Sequence, residues 1–443
     1  MENSPDPTPH LERFESYESA CRDFRWQIPE HLNIASALCR RHDDAVTRIA
    51  LSERRTGGIN TYTFGGLDFL SDKFATTLSE SGITHGDSVA VVVRPSAALA
   101  IAHFGALKLG AVVVPLSLSS SAALLEHTFA DCGARAVVVD ESASEAISDI
   151  ARRTPTVRSR FVVRDLRPAR TSTEFKDFWT EVDRSSSDFE AVEGNARSAA
   201  FIFYVESQGE IIGIVHSHRS AIGQLAAFEA FTGVGGDRDG VFWMAGDWCA
   251  PGAALGVLYP AWWYGHSVVA GATEDCGEVR LLEQCAVTDM FLPASLTNEF
   301  VEAAPQADEG AGLSIRTVVT EAMKPAEYLV SSNPGVTINE VYGKPETGWV
   351  AGKCDRLFAT TPGAVGRPFP GRTVEIIDDT GHTLPPRQVG RIAIHDSDPA
   401  LFARYQTGTT RMEDAYSGHW FLTGDFGYKN GDGELFISPS PEW

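Results

Sequence analysis

Two histidines and one cysteine are the side chains of this protein best suited to act as a base or a nucleophile. His216 and His218 stand two positions apart in VHSHR, and Cys249 follows the tripeptide GDW. A neutral imidazole can act as a general base and a thiolate as a nucleophile, and His216 is our candidate catalytic base. Residues two apart lie on opposite faces of a strand or at a strand-to-helix turn, so a structural role is the competing interpretation.

Four familiar catalytic motifs are missing from the sequence. It contains no G-x-x-x-x-G-K-[ST], no G-x-G-x-x-G that opens a helix after a strand, no H-E-x-x-H and no G-x-S-x-G. The usual markers of a P-loop nucleotide hydrolase, a dinucleotide oxidoreductase, a zinc peptidase and a serine hydrolase are therefore absent. The seven cysteines form no C-x-x-C pair, which favours reduced core thiols over a metal site.

The chain is strongly acidic. Its 443 residues include 37 Lys and Arg against 59 Asp and Glu, a formal charge of −22. Such a surface repels phosphate backbones and anionic lipids, so we expect neither a nucleic acid nor a membrane as a partner. The first residues are polar and proline-bearing, unlike a signal peptide, and the sequence therefore predicts a cytoplasmic protein.

Short apolar, β-branched runs alternate with helical stretches between Ser88 and Asp140. This alternation indicates a parallel sheet that helices cover on both faces. The predicted strands are 88–93, 111–116 and 136–140, and the predicted helices are 62–81, 97–109 and 122–132. The segment 152–196 has weak periodicity and is predicted to be a connection.

A second α/β unit follows, and the pattern changes again near Pro362. The second unit is predicted to contain a helix at 219–231 and strands at 289–292 and 317–320, and short strands are predicted at 373–378 and 390–395. The predicted fold is α/β, with two doubly wound α/β subdomains and a small antiparallel β-barrel. We expect a polar tail at 1–20, the α/β subdomains at 21–195 and 196–361, and the barrel at 362–443.

Eight stretches, in chain order, resemble the large N-terminal domain of the adenylate-forming superfamily, which includes acyl-CoA synthetases, nonribosomal adenylation domains and luciferases. The matching stretches are FRWQIPEHLNIA (24–35), YTFGGL (62–67), FGALKLGAVVVPL (104–116), GARAVVVD (133–140), DWCAPGAALGVLYPAWWYGHSVV (247–269), VYGKPETG (341–348), GAVGRPFPG (363–371) and FLTGDFGY (421–428). They look most like acetyl- and medium-chain acyl-CoA synthetases. The resemblance implies the fold predicted above and an enzyme that forms an acyl-adenylate from ATP and a carboxylic acid, then transfers the acyl group, usually to coenzyme A.

The resemblance also implies which residues hold the nucleoside. Tyr342, with Gly343 beside it, matches the aromatic residue that stacks on adenine, and Asp425 matches the carboxylate that binds the ribose hydroxyls. Glu321 falls in the stretch that resembles the adenine-pocket loop. Glu346 matches the acid that helps to bind magnesium and is a candidate catalytic residue. Core packing or an ordinary surface carboxylate is the alternative for each.

The stretch that resembles the family's phosphate loop departs from its pattern. Ile212 replaces the lysine of that loop, and the loop gains Glu206 and Glu210. Carboxylates oppose a bound triphosphate by Coulomb repulsion. The nucleotide-binding candidates in this degenerate loop are Ser207, Gln208 and Gly209.

A second departure lies in the motif that resembles Y-G-x-T-E. Pro345 stands where the family has a threonine that contacts phosphate, and Thr347 is our candidate substitute and catalytic residue. The resemblance also implies an acyl pocket lined by Asp247, Trp248 and Gly252. A pocket rich in tryptophan and small residues would suit a short, medium or aromatic acid, although tryptophans in an apolar run are more often core.

The family continues through an arginine-containing hinge into a C-terminal domain that supplies a lysine. This sequence reads GELFISPSPEW, with Ser440 at the arginine position. We therefore expect the C-terminal catalytic domain to be absent and the activating cation to come from another protein or to be missing.

Three functions remain open from the sequence. The first is an acyl-CoA synthetase that uses ATP and magnesium on a carboxylic acid, with ATP-dependent adenylation impaired and another protein supplying the missing domain. The second is a repurposed enzyme that transfers, condenses or hydrolyses an already activated acyl group, from an acyl-CoA or acyl-adenylate, with coenzyme A or an acyl carrier as partner. The third is a noncatalytic partner protein.

Overall fold

Three β-sheets organise the part of the chain that the computed structural model describes, which is residues 6–55, 57–164, 174–207, 209–233, 239–271, 278–296, 313–321, 335–354, 357–406 and 412–439. The strands are β1 (Ile49–Arg55), β2 (Gly58–Thr63), β3 (Ser88–Val92), β4 (Val112–Pro115), β5 (Ala136–Asp140), β6 (Ser159–Val163), β7 (Lys176–Asp177), β8 (Ala199–Ser207), β9 (Glu210–Ser217), β10 (Val241–Met244), β11 (Ser267–Ala270), β12 (Asp289–Leu292), β13 (Thr317–Thr320), β14 (Thr337–Lys344), β15 (Gly348–Gly352), β16 (Arg367–Pro368), β17 (Val374–Ile377), β18 (Gly390–His395), β19 (Arg404–Tyr405), β20 (Tyr416–Ser417), β21 (Trp420–Lys429) and β22 (Leu435–Ser438). The helices are α1 (Tyr17–Asp23), α2 (Ile34–Arg40), α3 (Phe64–Glu80), α4 (Ala97–Lys108), α5 (Ala122–Asp131), α6 (Ser144–Arg153), α7 (Phe178–Arg184), α8 (His218–Ile222), α9 (Leu225–Thr232), α10 (Pro251–Ala253), α11 (Tyr259–Trp263) and α12 (Glu278–Gln284).

An eight-stranded sheet runs in the order β19-β9-β8-β4-β3-β5-β6-β7. Strands β3, β4 and β5 are buried along their whole length, as expected for parallel strands covered on both faces. The predicted strands and helices between Tyr62 and Cys132 match the structure to within two residues at each end. The segment 152–196 was predicted wrongly as a connection, because it contains β6, β7 and α7.

The nine-stranded sheet runs in the order β16-β15-β14-β13-β12-β10-β11-β1-β2, with parallel pairing from β1 through β14 and antiparallel pairing at both edges. The predicted strands 289–292 and 317–320 are confirmed as β12 and β13. The single helix predicted at 219–231 is wrong, since the structure has two helices, α8 and α9. Gln224 lies between them and directs its side-chain amide to the backbone of β15 and the turn before it.

Sheet membership does not follow the order of the chain. Strands β1 and β2 lie within the first predicted α/β subdomain, 21–195, yet they pair in the nine-stranded sheet. Strands β8 and β9 lie beyond position 195, yet they pair in the eight-stranded sheet. Strand pairing depends on which sheet edge the chain reaches, and local patterning does not encode that. The subdomain boundaries remain a prediction.

A five-stranded antiparallel sheet follows, in the order β17-β18-β21-β20, with β22 paired to β21. It fits the small antiparallel unit predicted beyond Pro362. The segment predicted as a polar tail packs on the protein at His10 and Leu11. The Glu229 carboxylate accepts hydrogen bonds from the backbone N–H groups of His10 (3.0 Å) and Leu11 (2.6 Å). None of the described helices is long and apolar enough to cross a membrane.

Candidate functional site

The predicted phosphate-loop residues lie at the tip of the β8–β9 hairpin. Ser207 pairs with Glu210, so only two positions separate the strands, and the pairing continues without interruption to Tyr204 and Gly213. Gly209 has a φ of +84°, the left-handed conformation that tight hairpin turns require. Gln208 falls outside the described residues. Where the resemblance implies a phosphate-wrapping loop, the backbone groups of this segment are used in strand pairing.

The tip of this hairpin is exposed and acidic. Glu206, Ser207, Gly209 and Glu210 are all exposed, and Ile212 is half-buried. No lysine or arginine lies between the ends of β8 and β9. The local charge is therefore opposite to the one that a triphosphate needs.

A second hairpin, β14–β15, carries most of the other predicted residues. Its turn is closed by Thr347, whose buried hydroxyl accepts a hydrogen bond from the Lys344 backbone N–H (2.9 Å) and donates one to the Gly348 carbonyl (2.8 Å). The structure thus uses the Thr347 hydroxyl in the turn. Its contact with phosphate in place of Pro345 stays a prediction.

Two side chains from other elements hold this second turn. His216 of β9 donates from Nε2 to the Pro345 carbonyl at 2.8 Å. The Gln224 amide donates to the Thr347 carbonyl (3.2 Å) and accepts from the Trp349 N–H (2.9 Å). The turn is thus fixed to both large sheets.

His216 is 1% exposed, and burial lowers its pKa to about 4. Its Nδ1 has no hydrogen-bond partner within the described part of the chain. The imidazole is therefore neutral at pH 7. Burial likewise lowers the pKa of His218 to about 4 and raises that of the Cys249 thiol to about 12, which favours the neutral thiol.

Tyr342 and Asp425, both implied to hold a nucleoside, are in direct contact. The Tyr342 hydroxyl donates to Asp425 Oδ2 at 2.8 Å, and Lys344 Nζ lies 2.7 Å from the same carboxylate. Burial raises the pKa of Tyr342 and keeps it a hydrogen-bond donor. We call Tyr342, Lys344 and Asp425 the nucleoside cluster; it joins β14 to β21 of the small sheet, and Gly343 lies within it.

Glu346 lies in the β14–β15 turn and faces β19. Its Oε1 accepts a hydrogen bond from the Tyr405 hydroxyl (3.2 Å), and its carbonyl accepts one from the Phe402 N–H (2.8 Å). Burial raises its pKa. No group of three or more metal-ligating side chains occurs among the described residues. A single carboxylate fits Mg²⁺ only where substrate phosphates and water supply the other ligands.

Glu321 follows β13 and is exposed. Thr320 is in register with Glu340 of β14, so Glu321 lies at the same sheet end as Tyr342. Its carboxylate accepts a hydrogen bond from the backbone of Ala294. The next residues of the predicted adenine-pocket loop, 322–334, fall outside the described part.

Of the predicted acyl-pocket residues, Gly252 lies against Trp349, a tryptophan that the sequence did not single out. A Cβ atom on Gly252 would be 2.4 Å from Trp349, and one on Gly256 would be 2.1 Å from it, so glycine is required at both positions for this packing. Trp248 is 1% exposed, and its Nε1 has no partner among the described residues. Asp247 accepts a hydrogen bond from the Ser117 hydroxyl.

Four residues that hold these groups in place were missed in the sequence. Lys344 could have been found, because it lies two positions from Tyr342 on one strand and therefore on the same face. Trp349, Gln224 and Tyr405 gave no local signal. Their roles arise from contacts with residues 50 to 130 positions away.

Comparison with known proteins gives one consistent match. The family model of the AMP-binding enzymes matches residues 38–405. The mitochondrial acyl-coenzyme A synthetase ACSM3 of Mus musculus is 23% identical, covering 96% of this chain and 75% of the relative. The fatty acid–[acyl-carrier-protein] ligase ScoC of Streptomyces coeruleorubidus is 26% identical, covering 85% and 72%. The crystal structure of a Brucella canis acyl-CoA synthetase superposes with a TM-score of 0.86 at 19% identity, covering 97% of this chain and 80% of that one, which confirms the predicted α/β fold.

Proposed function

The chain belongs to the family of AMP-binding enzymes, as its motifs predicted, and on that premise we propose that it binds an acyl group beside a nucleoside but adenylates carboxylic acids poorly by itself. The acyl group enters as a carboxylic acid or in an activated form, an acyl-adenylate or acyl-CoA. The observation that carries this proposal is the tight, acidic β8–β9 hairpin at the position of the phosphate loop.

The physical problem of adenylation is charge. A carboxylate must approach a phosphate, so the site needs cations or backbone N–H groups already directed at the phosphates. Here the β8–β9 backbone is paired to its tip, the lysine of the loop is Ile212, and Glu206 is exposed beside the turn. The β- and γ-phosphates of ATP gain little at this hairpin.

The nucleoside cluster supports binding of AMP or an acyl-adenylate. Asp425 can accept hydrogen bonds from two ribose hydroxyls, and Tyr342 of β14, in contact with it, offers an aromatic ring. Lys344 occupies part of the Asp425 carboxylate, so ribose must share this group with the ammonium or displace it. If magnesium is used, Glu346 is the residue that would hold it, with phosphate oxygens as the further ligands.

The acyl group is proposed to be small. Trp349 lies directly on Gly252 and Gly256, and Trp248 is buried nearby, so bulky side chains fill the space that a long acyl chain would need. The acceptor is proposed to be a thiol, either coenzyme A or an acyl carrier protein. The ligase names of the mouse and Streptomyces relatives support these two acceptors.

An ATP-using ligase completed by another protein is the second candidate, and the intact pairing of Tyr342 with Asp425 favours it. That protein would supply the cation that the hairpin lacks. Pyrophosphate release that depends on a carboxylic acid and on an added partner would support this candidate over the first.

Calorimetry with Mg-ATP, AMP and a nonhydrolysable acyl-adenylate analogue tests the proposal. We expect AMP and the analogue to bind, Mg-ATP to bind no more tightly than AMP, and Asp425→Asn to weaken AMP binding about tenfold or more, since a hydrogen-bonded charge is lost. Asp432→Asn is the matched control, because Asp432 is an exposed carboxylate beyond β21. Mg-ATP binding much tighter than AMP binding, or efficient carboxylate-dependent pyrophosphate release by the chain alone, would contradict the proposal.

A further inference from the structure

A cleft of about 490 Å³ opens between the N-terminal segment, the start of β8 and the loop after β18. None of its lining residues belongs to the nucleoside cluster. Its lining combines apolar and aromatic side chains with two arginines. The lining residues used below are Trp26, Ile28, Pro29, Arg197, Arg219 and Pro399. The volume lies within the range of small-molecule binding sites.

Strand pairing brings the two arginines to the same cleft. Arg197 precedes β8 and Arg219 follows β9, and Ala199 pairs with Ser217 at this end of the hairpin. The hairpin tip at Ser207 lies about 25 Å away, at about 3.3 Å for each strand residue. The cleft is therefore remote from the position that the resemblance assigns to phosphate.

These guanidinium groups form no ion pair within the described residues. Arg219 is half-buried, and burial together with the charge of Arg197 lowers its pKa. Asp398 faces Arg219, but its carboxylate is already paired with Arg372. Glu30 also lines the cleft and is exposed to solvent. Two arginines that line one cleft and form no ion pair with a described residue stand out in a chain with a formal charge of −22.

The apolar wall is held in place before any ligand arrives. Trp26 Nε1 donates to the Gly371 carbonyl at 3.0 Å, and the indole packs edge-on against Phe24 with ring centroids 4.8 Å apart. Because the Trp26 side chain is already fixed, less side-chain conformational entropy is lost when a ligand binds.

We propose that this cleft binds a phosphate-bearing small molecule, with its phosphate between Arg197 and Arg219 and its apolar part against Trp26. Two guanidinium forks match the three terminal oxygens of a phosphomonoester, whereas one fork suffices for a carboxylate. The proposal is independent of the function proposed above, since it involves no residue of the nucleoside cluster.

Phenyl phosphate is the probe, and calorimetry at low salt is the measurement. We expect one binding site whose affinity falls about tenfold or more in Arg197→Gln, because a charge-assisted hydrogen bond is lost. Arg197 is exposed, so this variant should fold normally, which a thermal unfolding curve checks. Arg184→Gln, at an exposed arginine of α7, should bind like the wild type. Asp425→Asn should also bind like the wild type, because Asp425 does not line the cleft.

The absence of phenyl phosphate binding would overturn the proposal. Binding by Arg197→Gln as tight as that by the wild type would also overturn it. Tighter binding of benzoate than of phenyl phosphate would contradict the phosphate as the recognised group. Arg219→Lys provides a second test, because it keeps the charge and removes the planar fork; affinity equal to that of the wild type would also contradict the assigned geometry.

Discussion

The β8–β9 and β14–β15 hairpins differ in what holds their turns. The tip of β8–β9 is exposed, and strand pairing continues to Ser207 and Glu210 beside its turn. The turn of β14–β15 is held by its own Thr347 hydroxyl, by His216 and by Gln224. The turn of the second hairpin is therefore preorganised by side chains from distant elements.

The largest expected effect comes from removing the indole of Trp349, which lies on β15 and packs against Gly252 and Gly256. Trp349→Ala should lower the free energy of unfolding by about 3–5 kcal/mol, because it leaves a large cavity. Chemical denaturation measures this loss. Phe69→Ala is the control, since Phe69 is 52% exposed, and it should cost less than about 1 kcal/mol.

A double-mutant cycle sharpens the same test. Gly256→Ala should destabilise the wild type by about 1–3 kcal/mol through overpacking, and cost much less in the Trp349→Ala background, where the clash partner is gone. Equal costs in both backgrounds would mean that Trp349 does not restrict Gly256.

The next effect is a pH dependence that arises at His216. Its pKa is about 4 in the folded protein and about 6.5 when unfolded, so the unfolded state binds more protons between these values. The contribution of His216 to the free energy of unfolding is fully present above about pH 6.5. It is lost as the pH drops towards 4, a loss on the order of 3 kcal/mol. His216→Gln should reduce that slope in unfolding curves measured from pH 7 to 4.5.

His382→Gln is the control for this pH effect, because the His382 side chain is 84% exposed. It should leave the slope of stability against pH unchanged. His218 is also buried and adds to the slope in the same direction, so part of the dependence should persist in His216→Gln. A slope equal to that of the wild type in His216→Gln would contradict the buried, neutral imidazole.

A smaller effect separates the two turns directly. Thr347→Val removes the hydroxyl that accepts the Lys344 N–H and should cost about 1–3 kcal/mol, since a buried donor loses its partner. Ser207→Ala, in the other hairpin, should stay within about 0.5 kcal/mol of the wild type. Thermal or denaturant unfolding of both variants tests the contrast. Similar losses of unfolding free energy in Thr347→Val and Ser207→Ala would contradict the difference between the two turns.

The smallest effect concerns charge at the exposed tip. Glu206→Gln should leave stability within about 0.5 kcal/mol and raise the affinity for Mg-ATP by less than about tenfold at low salt, because an exposed charge is well screened. Glu283→Gln, at an exposed position on α12, is the matched control. A larger gain at Glu206 would mean that charge alone prevents ATP binding, and that the hairpin geometry does not.

Much of the fold was accessible from local patterning. The buried runs at 88–93, 111–116 and 136–140 predicted strands because few sequences other than buried parallel strands combine β-branched residues with no polar alternation. The prediction for the segment 152–196 was wrong because its strands give little local signal. Strand β7 has two residues, too few for any periodicity, and β6 depends on its pairing with β5 in the sheet.

The sequence by itself determined the family, the α/β fold and the acidic charge, because each depends on residue types and on local patterns along the chain. Only the tertiary structure decided that Lys344 pairs with Asp425, that Thr347 closes a turn, and that Trp349 fills the space over two glycines. It also decided that Arg197 and Arg219 line one cleft. These contacts depend on how distant strands and helices are brought together, and no local pattern specifies that geometry.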